Sequence, residues 1–503
     1  MVSKVISAAA IGYSGELIEV ESDASQGLPT LQIVGMGNKA IDESKERVRS
    51  AIKNSGLDFP KKKITINLAP AEIPKDGTSF DLPIAISILT VSGQIKSSNL
   101  SNRAFTGELS LDGELRPIKG ILNIVERLKD AGVKEIFIPY DNYTQASLIT
   151  GVKLVPAKNL KDIFLHIKGE ISIQEPAEKF DEAKKVEKTT LDDIIGQEQA
   201  KRALTIAIAG RHNILLIGPP GTGKTMLAKA ALNLLPDLSS QELLEVAKIH
   251  CLVENSEQSS FERPFRAPHH TASRTSIVGG GPKAAPGEIS LAHMGVLFLD
   301  EIPEYPKSIL ETLRQPLEDK TITISRTKYR STYPANFMLI ATMNPCPCGF
   351  FGDPNHECTC TTTQIINYQR KLSGPLLDRI DMVISVDRIQ NSNLLKTLSK
   401  EDKLHEESKN KIAISSKIQQ NRYGSCVKYN GSAKTSDVKT LFKISSPAKD
   451  FIDTATSKLH LSARSYLKTI KVAQTIADID NSKTIEINHI SEAIQYRDKR
   501  ETL

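Results

Sequence analysis

Residues 218–225 read Gly-Pro-Pro-Gly-Thr-Gly-Lys-Thr, between the apolar stretches Asn213–Ile217 and Met226–Leu232. This pattern predicts a buried strand, a glycine-rich turn and a helix, which is the context of a phosphate-binding loop. Glycines let backbone N–H groups close around phosphate oxygens, and the helix N-terminus adds favourable partial charge. The sequence therefore predicts a site for ATP and Mg²⁺ formed by Gly218, Pro219, Pro220, Gly221, Thr222, Gly223, Lys224 and Thr225.

A second nucleotide signature follows about 75 residues later. The apolar run Gly295–Leu299 ends in the paired acids Asp300 and Glu301. We expect Asp300, at the end of a strand, to hold Mg²⁺ together with Thr225. Glu301 is expected to activate the attacking water as a general base. An apolar run that ends in two acids is common by itself, but after a phosphate-binding loop it indicates ATP hydrolysis.

Two further polar side chains fit the same chemistry. Asn344 ends the apolar stretch Phe337–Met343, so it is predicted to contact the γ-phosphate or the lytic water, as the sensor 1 residue of AAA+ ATPases does. Arg379 follows a short helical segment and resembles an AAA+ arginine finger, which enters the site of a neighbouring subunit. The alternative is that Arg379 simply pairs with Asp378 or Asp381.

Four segments carry a more specific resemblance, and they are 265–270 (Phe-Arg-Ala-Pro-His-His), 344–349 (Asn-Pro-Cys-Pro-Cys-Gly), 373–381 and 461–467. Together they resemble the YifB/ComM family of magnesium-chelatase-like AAA+ proteins, over essentially the whole chain. The resemblance implies a hexameric ring ATPase and places Arg464 at the sensor 2 position. It also implies a DNA helicase that drives branch migration during integration of transforming DNA.

Two rival functions remain open at this point. One is a chelatase-type motor that drives Mg²⁺ insertion into a porphyrin, although such a motor needs a separate catalytic subunit. The other is an ATP-dependent unfoldase or remodeller of proteins. Fold-level kinship alone does not decide between these functions.

A hairpin before the sensor 1 strand supports the DNA alternative. Residues 321–337 alternate in the manner of two strands around a basic tip. In related rings such a hairpin faces the central pore, where cations contact phosphates and an aromatic ring stacks on bases. The predicted contacts with single-stranded or branched DNA are Arg326, Lys328, Tyr329 and Arg330. The alternative is an ordinary solvated hairpin.

Composition divides the chain into three regions of α/β or helical character. Residues 1–168 alternate short strands and helices, 169–190 are charged and form a linker, 191–386 form the AAA+ core, and 387–503 form a helical lid. The chain beyond residue 387 holds 21 Lys and Arg against 13 Asp and Glu, a balance that suits a polyanion or a solvated helical surface.

The N-terminal region resembles the Lon-protease proteolytic domain, an α/β fold of the ribosomal S5 type. The resemblance lies in residues 73–82, 105–120 and 131–139. It places Ser79 at the nucleophile position, but Leu122 stands where Lon has the lysine base, and Lys119 lies three positions earlier. Because leucine cannot accept a proton, we expect a Lon-like domain without peptidase activity.

Four of the six cysteines lie close together within the loop 345–361, at positions 346, 348, 358 and 360. Four thiolates would form a tetrahedral structural zinc site. The C-x-C spacing is tighter than the usual C-x₂-C, so a loop of reduced thiols is the alternative. The predicted zinc ligands are Cys346, Cys348, Cys358 and Cys360.

Composition also bears on the compartment. Apolar residues make up 39% of the 503 and charged residues 25%, which is ordinary for globular proteins. The longest apolar stretch, 82–91, is too short to cross a bilayer, and no signal peptide is predicted. The cysteine pattern does not resemble a disulfide framework, so we expect a cytoplasmic protein with no membrane partner.

Overall fold

Two large β-sheets and a group of C-terminal helices form most of the part of the chain that the structure describes. The computed structural model describes residues 2–35, 39–72 (39–42 through their backbone only), 75, 78–176, 189–253, 262–281, 284–325, 330–354, 356–388, 403–425 and 428–498. The predicted fold class is confirmed: α/β regions with a parallel sheet precede a helical C-terminal region.

The N-terminal sheet has seven strands in the order β3-β4-β2-β1-β5-β8-β9. Strands β1, β2 and β4 pair antiparallel, and the remaining pairs are parallel. These strands are β1 (Val2–Ile11), β2 (Ser14–Ser25), β3 (Thr30–Val34), β4 (Lys63–Ala69), β5 (Arg103–Phe105), β8 (Glu135–Pro139) and β9 (Lys153–Ala157), with a small hairpin of β6 (Glu108–Leu109) and β7 (Leu115–Arg116) between them.

Helices cover both faces of this sheet, as the alternation of buried side chains along its strands requires. They are α1 (Lys39–Asn54), α2 (Asp81–Val91), α3 (Ile121–Asp130), α4 (Tyr143–Ala146) and α5 (Leu160–Lys168). Every residue of α2 is buried, in keeping with a sequence that is apolar all round. Helices α1, α2 and α5 share one hydrophobic core, and α3 and α4 belong to the other.

The central sheet is fully parallel, with the order β11-β14-β17-β10-β18. Its strands are β10 (Ile214–Ile217), β11 (Phe265–Arg266), β14 (Val296–Leu299), β17 (Met338–Met343) and β18 (Met382–Ser385). Two small hairpins accompany it, formed by β12 (Gly279–Gly280) with β13 (Ala285–Pro286) and by β15 (Thr321–Ser325) with β16 (Arg330–Pro334).

The helices of this region are α6 (Glu198–Gly210), α7 (Lys224–Leu234), α8 (Ser240–His250), α9 (Arg274–Val278), α10 (Glu288–Leu291), α11 (Lys307–Thr312), α12 (Arg314–Asp319), α13 (Thr362–Gln369) and α14 (Gly374–Leu377). Because β10 lies between β17 and β18, the loop after β10 opens at the point where the strand order reverses. Ligands of open α/β sheets bind at such a point.

The C-terminal region consists of α15 (Leu404–Tyr423), α16 (Thr435–Leu441), α17 (Ser446–Leu459), α18 (Ala463–Ile479) and α19 (Ile487–Gln495). Helices α15 and α18 pack against α6 of the core and share its hydrophobic interior. Within the described ranges no helix combines the length and the apolar character needed to span a membrane.

The N-terminal region docks on the core through α3 and α8. The Gly120 N–H donates to the Cys251 carbonyl at 2.7 Å, and the Cys251 thiol donates to Asn123 Oδ1 at 3.1 Å. An ion pair joins Lys248 to Glu126 at 2.5 Å. Because both sides of this junction are buried, the N-terminal sheet and the core are fixed to each other here.

Candidate active site

The predicted phosphate-binding loop connects β10 to α7, as the sequence indicates. Gly221 and Gly223 have φ values of +78° and +85°, in the left-handed region that glycine occupies without strain. Gly218 is required for a different reason, because a Cβ there would lie 2.2 Å from the Val386 carbonyl oxygen. The loop therefore turns its backbone toward the carboxyl edge of the sheet, where a phosphate chain is bound in proteins of this type.

Lys224 lies at the start of α7 with its ammonium group buried. Its Nζ donates to the carbonyl oxygens of Gly218 at 2.7 Å and Pro219 at 2.8 Å, and to Asn344 Oδ1 at 3.3 Å. Three acceptors match the three donors of an ammonium group, so an arriving phosphate takes the place of one or more of them. Burial lowers the pKa of Lys224, and the nearby carboxylates oppose that shift.

The paired acids follow β14 and face the loop. Thr225 Oγ1 lies 3.4 Å from Asp300 Oδ2, close enough for both oxygens to ligate one Mg²⁺. Thr342 donates its hydroxyl proton to Asp300 Oδ1 and accepts the Glu301 N–H at 2.9 Å. Sequence analysis missed Thr342, although it lies two residues before Asn344 and so on the same face of β17.

Glu301 has a φ of +49°, a left-handed conformation that is rare for a residue with a side chain. Its neighbour across the sheet edge is Asn344, whose Nδ2 donates to Glu301 Oε1 at 3.4 Å. Asn344 therefore lies between the two charged groups of the site, Lys224 and Glu301. Strained backbone of this kind clusters at functional sites.

Gln197 is a second residue that sequence analysis missed. Its side-chain amide donates to the carbonyl oxygens of Thr222 at 3.5 Å and Asp387 at 2.5 Å. It thereby ties the phosphate-binding loop to the chain that leaves β18. A lone glutamine before a helix carries no pattern in the sequence that identifies this role.

Arg379 lies at the amino end of β18, away from its own phosphate-binding loop. Its Nε donates to the Arg314 carbonyl at 3.1 Å and its Nη1 to the Pro375 carbonyl at 2.6 Å. Its Nη2 forms an ion pair with Glu318. The open alternative, in which Arg379 pairs with Asp378 or Asp381, is therefore not what the described contacts show.

Arg464 lies on the first turn of α18 and meets the same carboxylate. Its Nη2 donates to Glu318 Oε1 at 3.1 Å, and its Nη1 lies 3.8 Å from Asp378 Oδ2. Both arginines line a cleft of about 580 Å³ between the core and the C-terminal helices. The cleft also contains the amino ends of the parallel strands, marked by Asn213 and Met338.

Lys224 and the two arginines therefore occupy opposite edges of the central sheet. Strand β10 has four residues, which separates the edges by about 13 Å of extended chain. The word "lid" for residues 387–503 would mean that these helices cover the phosphate-binding loop. Helix α18 instead brings Arg464 to the amino edge of the sheet. Neither Arg379 nor Arg464 lies beside the Lys224 of its own chain.

The four predicted zinc ligands come together next to the phosphate-binding loop. Their sulfur atoms all lie within 4.8 Å of one another, and three of the separations are 3.3, 3.6 and 3.7 Å. Four thiolates at 2.3 Å from one ion would be about 3.8 Å apart, so the arrangement fits a tetrahedral metal. The loop also touches Pro220, since a Cβ at Gly349 would lie 2.8 Å from Pro220 Cδ.

The predicted hairpin is present as β15 and β16, anchored by Tyr333, whose buried hydroxyl donates to the Ala284 carbonyl at 2.8 Å. Arg330 begins β16 and is exposed. The start of β16 contacts the N-terminal region, since a Cβ at Gly12 would lie 2.7 Å from Ser331 Oγ. The other predicted DNA contacts lie outside the described residues, and they are Arg326, Lys328 and Tyr329.

The structure describes the surroundings of the residues compared with the Lon dyad, Leu122, Lys119 and Ser79. Leu122 is fully buried in α3, and the Lys119 ammonium donates to the Val253 carbonyl at 2.7 Å. Ser79 accepts the Gly107 N–H through its backbone carbonyl at 3.0 Å, just before α2. The absence of peptidase activity stays a prediction.

Comparisons with known proteins cover nearly the whole chain. Family models described as "Magnesium chelatase, subunit ChlI", "Subunit ChlI of Mg-chelatase" and "Magnesium chelatase, subunit ChlI C-terminal" match residues 190–394, 20–142 and 404–497. The protein YifB of Escherichia coli (strain K12) is 42% identical over 491 residues, covering 97% of this chain and 96% of that protein.

Two other relatives extend this result. Competence protein ComM of Haemophilus influenzae (strain ATCC 51907 / DSM 11121 / KW20 / Rd) is 40% identical over 506 residues, covering 98% of this chain and 97% of that protein. Lon protease 2 of Bacillus subtilis (strain 168) is 29% identical over 183 residues, which cover 33% of this chain and 32% of that enzyme. The predicted Lon-like character is thus supported by a partial similarity. The chain belongs to the YifB/ComM family of magnesium-chelatase-like AAA+ ATPases.

Proposed function

We propose that this chain is the subunit of an ATP-hydrolysing ring that acts on DNA, as a helicase that promotes branch migration in recombination and natural transformation. The observation that carries the proposal is the placement of a complete nucleotide site and a pair of arginines at opposite edges of one sheet. Similarity to the competence protein ComM along almost the whole chain supports the choice of DNA as substrate.

The hydrolytic chemistry follows from the residues at the carboxyl edge. Glu301 accepts a proton from the attacking water, and Asn344 orients that water or the γ-phosphate from between Glu301 and Lys224. Thr225 and Asp300 would hold Mg²⁺, which neutralises charge on the phosphates when it is bound. Lys224 neutralises the phosphate chain from within the loop.

The amino edge supplies the remaining positive charge to a neighbouring subunit. An arginine that stabilises the transition state must approach the γ-phosphate, and Arg379 and Arg464 lie on the wrong edge to reach their own. We therefore propose that both act on the ATP held by the next chain, in a hexamer as the family resemblance implies. We also propose that the chain is divided into regions 1–168, 191–386 and 387–503, with a linker at 169–190. A cytoplasmic location is a further part of the proposal.

The hairpin formed by β15 and β16 is proposed to contact DNA from the ring pore. Arg330 is exposed at the beginning of β16, and Arg326 and Lys328 lie close to it in the sequence. Cations of this kind neutralise the phosphates that DNA carries at every nucleotide. No tetrapyrrole-binding feature is visible in the sequence, and Leu122 at the lysine position argues against a protease.

Branched DNA is expected to stimulate ATP hydrolysis, and the protein should displace strands from a branched substrate. Replacing Arg330 by alanine removes one phosphate contact, so DNA affinity should fall for every sequence and the slope of log K against log salt should decrease by about 1. Fluorescence anisotropy with labelled DNA measures the affinity, and phosphate release measures the stimulation.

Lys439→Ala serves as the control, because Lys439 is an exposed cation of α16 that the proposal does not use. Stimulation by unfolded protein in place of DNA would favour the remodeller, and stimulation by neither polymer would leave the chelatase-type motor. An unchanged salt slope for Arg330→Ala would contradict the role of the hairpin.

We also propose that the cysteine cluster binds a structural zinc ion. Two backbone N–H groups point at its sulfur atoms, from Phe351 to Cys346 Sγ at 3.3 Å and from Cys348 to Cys360 Sγ at 3.4 Å. Such bonds suit thiolates that are bound to a metal. The ion would fix the loop that carries Gly349 against the phosphate-binding loop.

Purified protein is expected to contain about one zinc ion per chain, measured by elemental analysis. The double substitution Cys348→Ser and Cys360→Ser should remove the ion and lower the apparent Tm by about 5 °C or more, because the metal-linked folding energy is lost. Cys251→Ser is the control for zinc content alone, since that cysteine lies against α3 and outside the cluster. Zinc far below one ion per chain would contradict the proposal.

A further inference from the structure

One carboxylate joins the two arginines of the amino edge. Glu318 lies on α12, and each of its oxygens accepts from a different guanidinium, Oε2 from Arg379 and Oε1 from Arg464. The two arginines come from different parts of the chain, one from the core and one from the C-terminal helices. The Glu318 side chain is 51% exposed, so the three groups lie at the protein surface and not inside the core.

Arg379 does not depend on Glu318 for its orientation. Two backbone carbonyls, of Arg314 and Pro375, already accept from its Nε and Nη1, and its side chain is only 17% exposed. Together with Glu318 these contacts use three of the five N–H donors of a guanidinium. Two donors remain for a phosphate, and the core alone fixes where they point.

Arg464 is held differently. Its side chain is 43% exposed, and its described partners are the carboxylates of Glu318 at 3.1 Å and Asp378 at 3.8 Å. Two guanidinium groups that approach the same point repel each other, and an intervening carboxylate offsets that repulsion. Glu318 provides the shorter of the two contacts, and it alone also contacts Arg379.

We propose that Glu318 is a positioning residue, which holds Arg464 beside Arg379 so that both guanidinium groups present to one phosphate chain. The inference rests on the proposed function, because it assumes that both arginines serve the ATP of a neighbouring subunit. The contrasting possibility is that Glu318 merely shields the arginines until a phosphate displaces it. The two possibilities predict opposite changes in rate.

The substitution Glu318→Gln keeps the shape of the side chain and removes its charge. We expect kcat for ATP hydrolysis to fall about fivefold, which is the rate change that corresponds to the free energy of one partly exposed ion pair. KM should stay unchanged because the phosphate-binding loop is untouched. In an Arg464→Ala background the same substitution should cause no further loss, since it acts through Arg464. Asp319→Asn is the control, with the same loss of charge at the next residue.

A mixing experiment tests whether Glu318→Gln lowers the rate of hydrolysis across the subunit interface. Arg379→Ala chains keep an intact phosphate-binding loop, and Lys224→Ala chains supply the arginines to it. Adding Glu318→Gln to the Lys224→Ala chain should lower the restored activity about fivefold, although that chain hydrolyses nothing itself. The nucleotide site of the Lys224→Ala chain is already inactive, so a change in that site cannot produce this result.

The outcomes separate the inference from the function on which it rests. Additive losses for Glu318→Gln and Arg464→Ala, no loss, or a faster rate for Glu318→Gln would overturn the positioning role while the trans arginines stand. If Arg379→Ala and Arg464→Ala are themselves silent, the proposed function of the amino edge is wrong and the inference with it.

Discussion

Replacement of Lys224 by alanine is expected to lower ATP hydrolysis at least about 100-fold, since one preorganised cationic donor to the phosphates is lost. The ammonium group is buried and bonded to Asn344 and to two carbonyls of its own loop, so the substitution removes a cation that is fixed inside the loop. Binding of a fluorescent ATP analogue and phosphate release measure the two steps separately. DNA unwinding should disappear with hydrolysis.

Lys229→Ala is the matched control, because Lys229 is an exposed lysine of the same helix α7. It should leave both nucleotide binding and hydrolysis unchanged. Hydrolysis by Lys224→Ala above a tenth of the normal rate would mean that the loop between β10 and α7 is not the catalytic nucleotide site.

Replacement of Arg379 by alanine is expected to reduce kcat about 1,000-fold, within the range measured for arginine fingers. The chain should still bind ATP with normal affinity, because Arg379 lies at the opposite edge of the sheet from Lys224. Mixing with inactive Lys224→Ala chains should restore activity at the interfaces where an Arg379→Ala chain supplies the loop and a Lys224→Ala chain supplies the arginine. Interfaces with the two chains in the reverse order lack both groups and stay inactive. Phosphate release as a function of the mixing ratio measures this complementation.

The control for this prediction is Arg116→Ala, which removes an exposed arginine from the hairpin of β6 and β7 in the N-terminal region. A normal rate for Arg379→Ala would show that the transition state needs no charge from this residue. A low rate that mixing does not restore would mean that Arg379 supports its own subunit, through its bonds to Arg314 and Pro375.

The parts of the site that could be predicted from the sequence are those set by local pattern. The strand, turn and helix around Gly218–Thr225 follow from apolar runs and from glycine at left-handed positions. The proximity of Asp300, Glu301 and Asn344 follows as well, because parallel strands end at one edge of a sheet. The cysteine cluster could be anticipated from spacing, since one short loop carries all four thiols.

The parts that could not be predicted depend on contacts between distant segments. Arg464 reaches the amino edge only because α18 packs against α6, more than 250 residues earlier in the chain. Glu318 lies 61 residues from Arg379 and 146 from Arg464, so no local pattern links them. Thr342 could have been found from its period-two relation to Asn344, but its bond to Asp300 requires the register of β14 and β17.

The nucleotide site and the arginines lie on opposite edges of the central sheet, so each subunit has two unlike faces. Two chains related by a two-fold axis meet through a surface patch that is the same on both. Because the loop and the arginines lie on opposite edges, a two-fold contact centred on either edge would bring loop to loop or arginines to arginines. If the arginines serve the ATP of the next chain, as proposed, the two edges meet in a head-to-tail contact, and such contacts either close into a ring or continue as a helical filament. The angle between successive subunits therefore decides whether the ring closes. In an incomplete ring, the nucleotide at one end has no arginines beside it, and the arginine pair at the other end has no nucleotide.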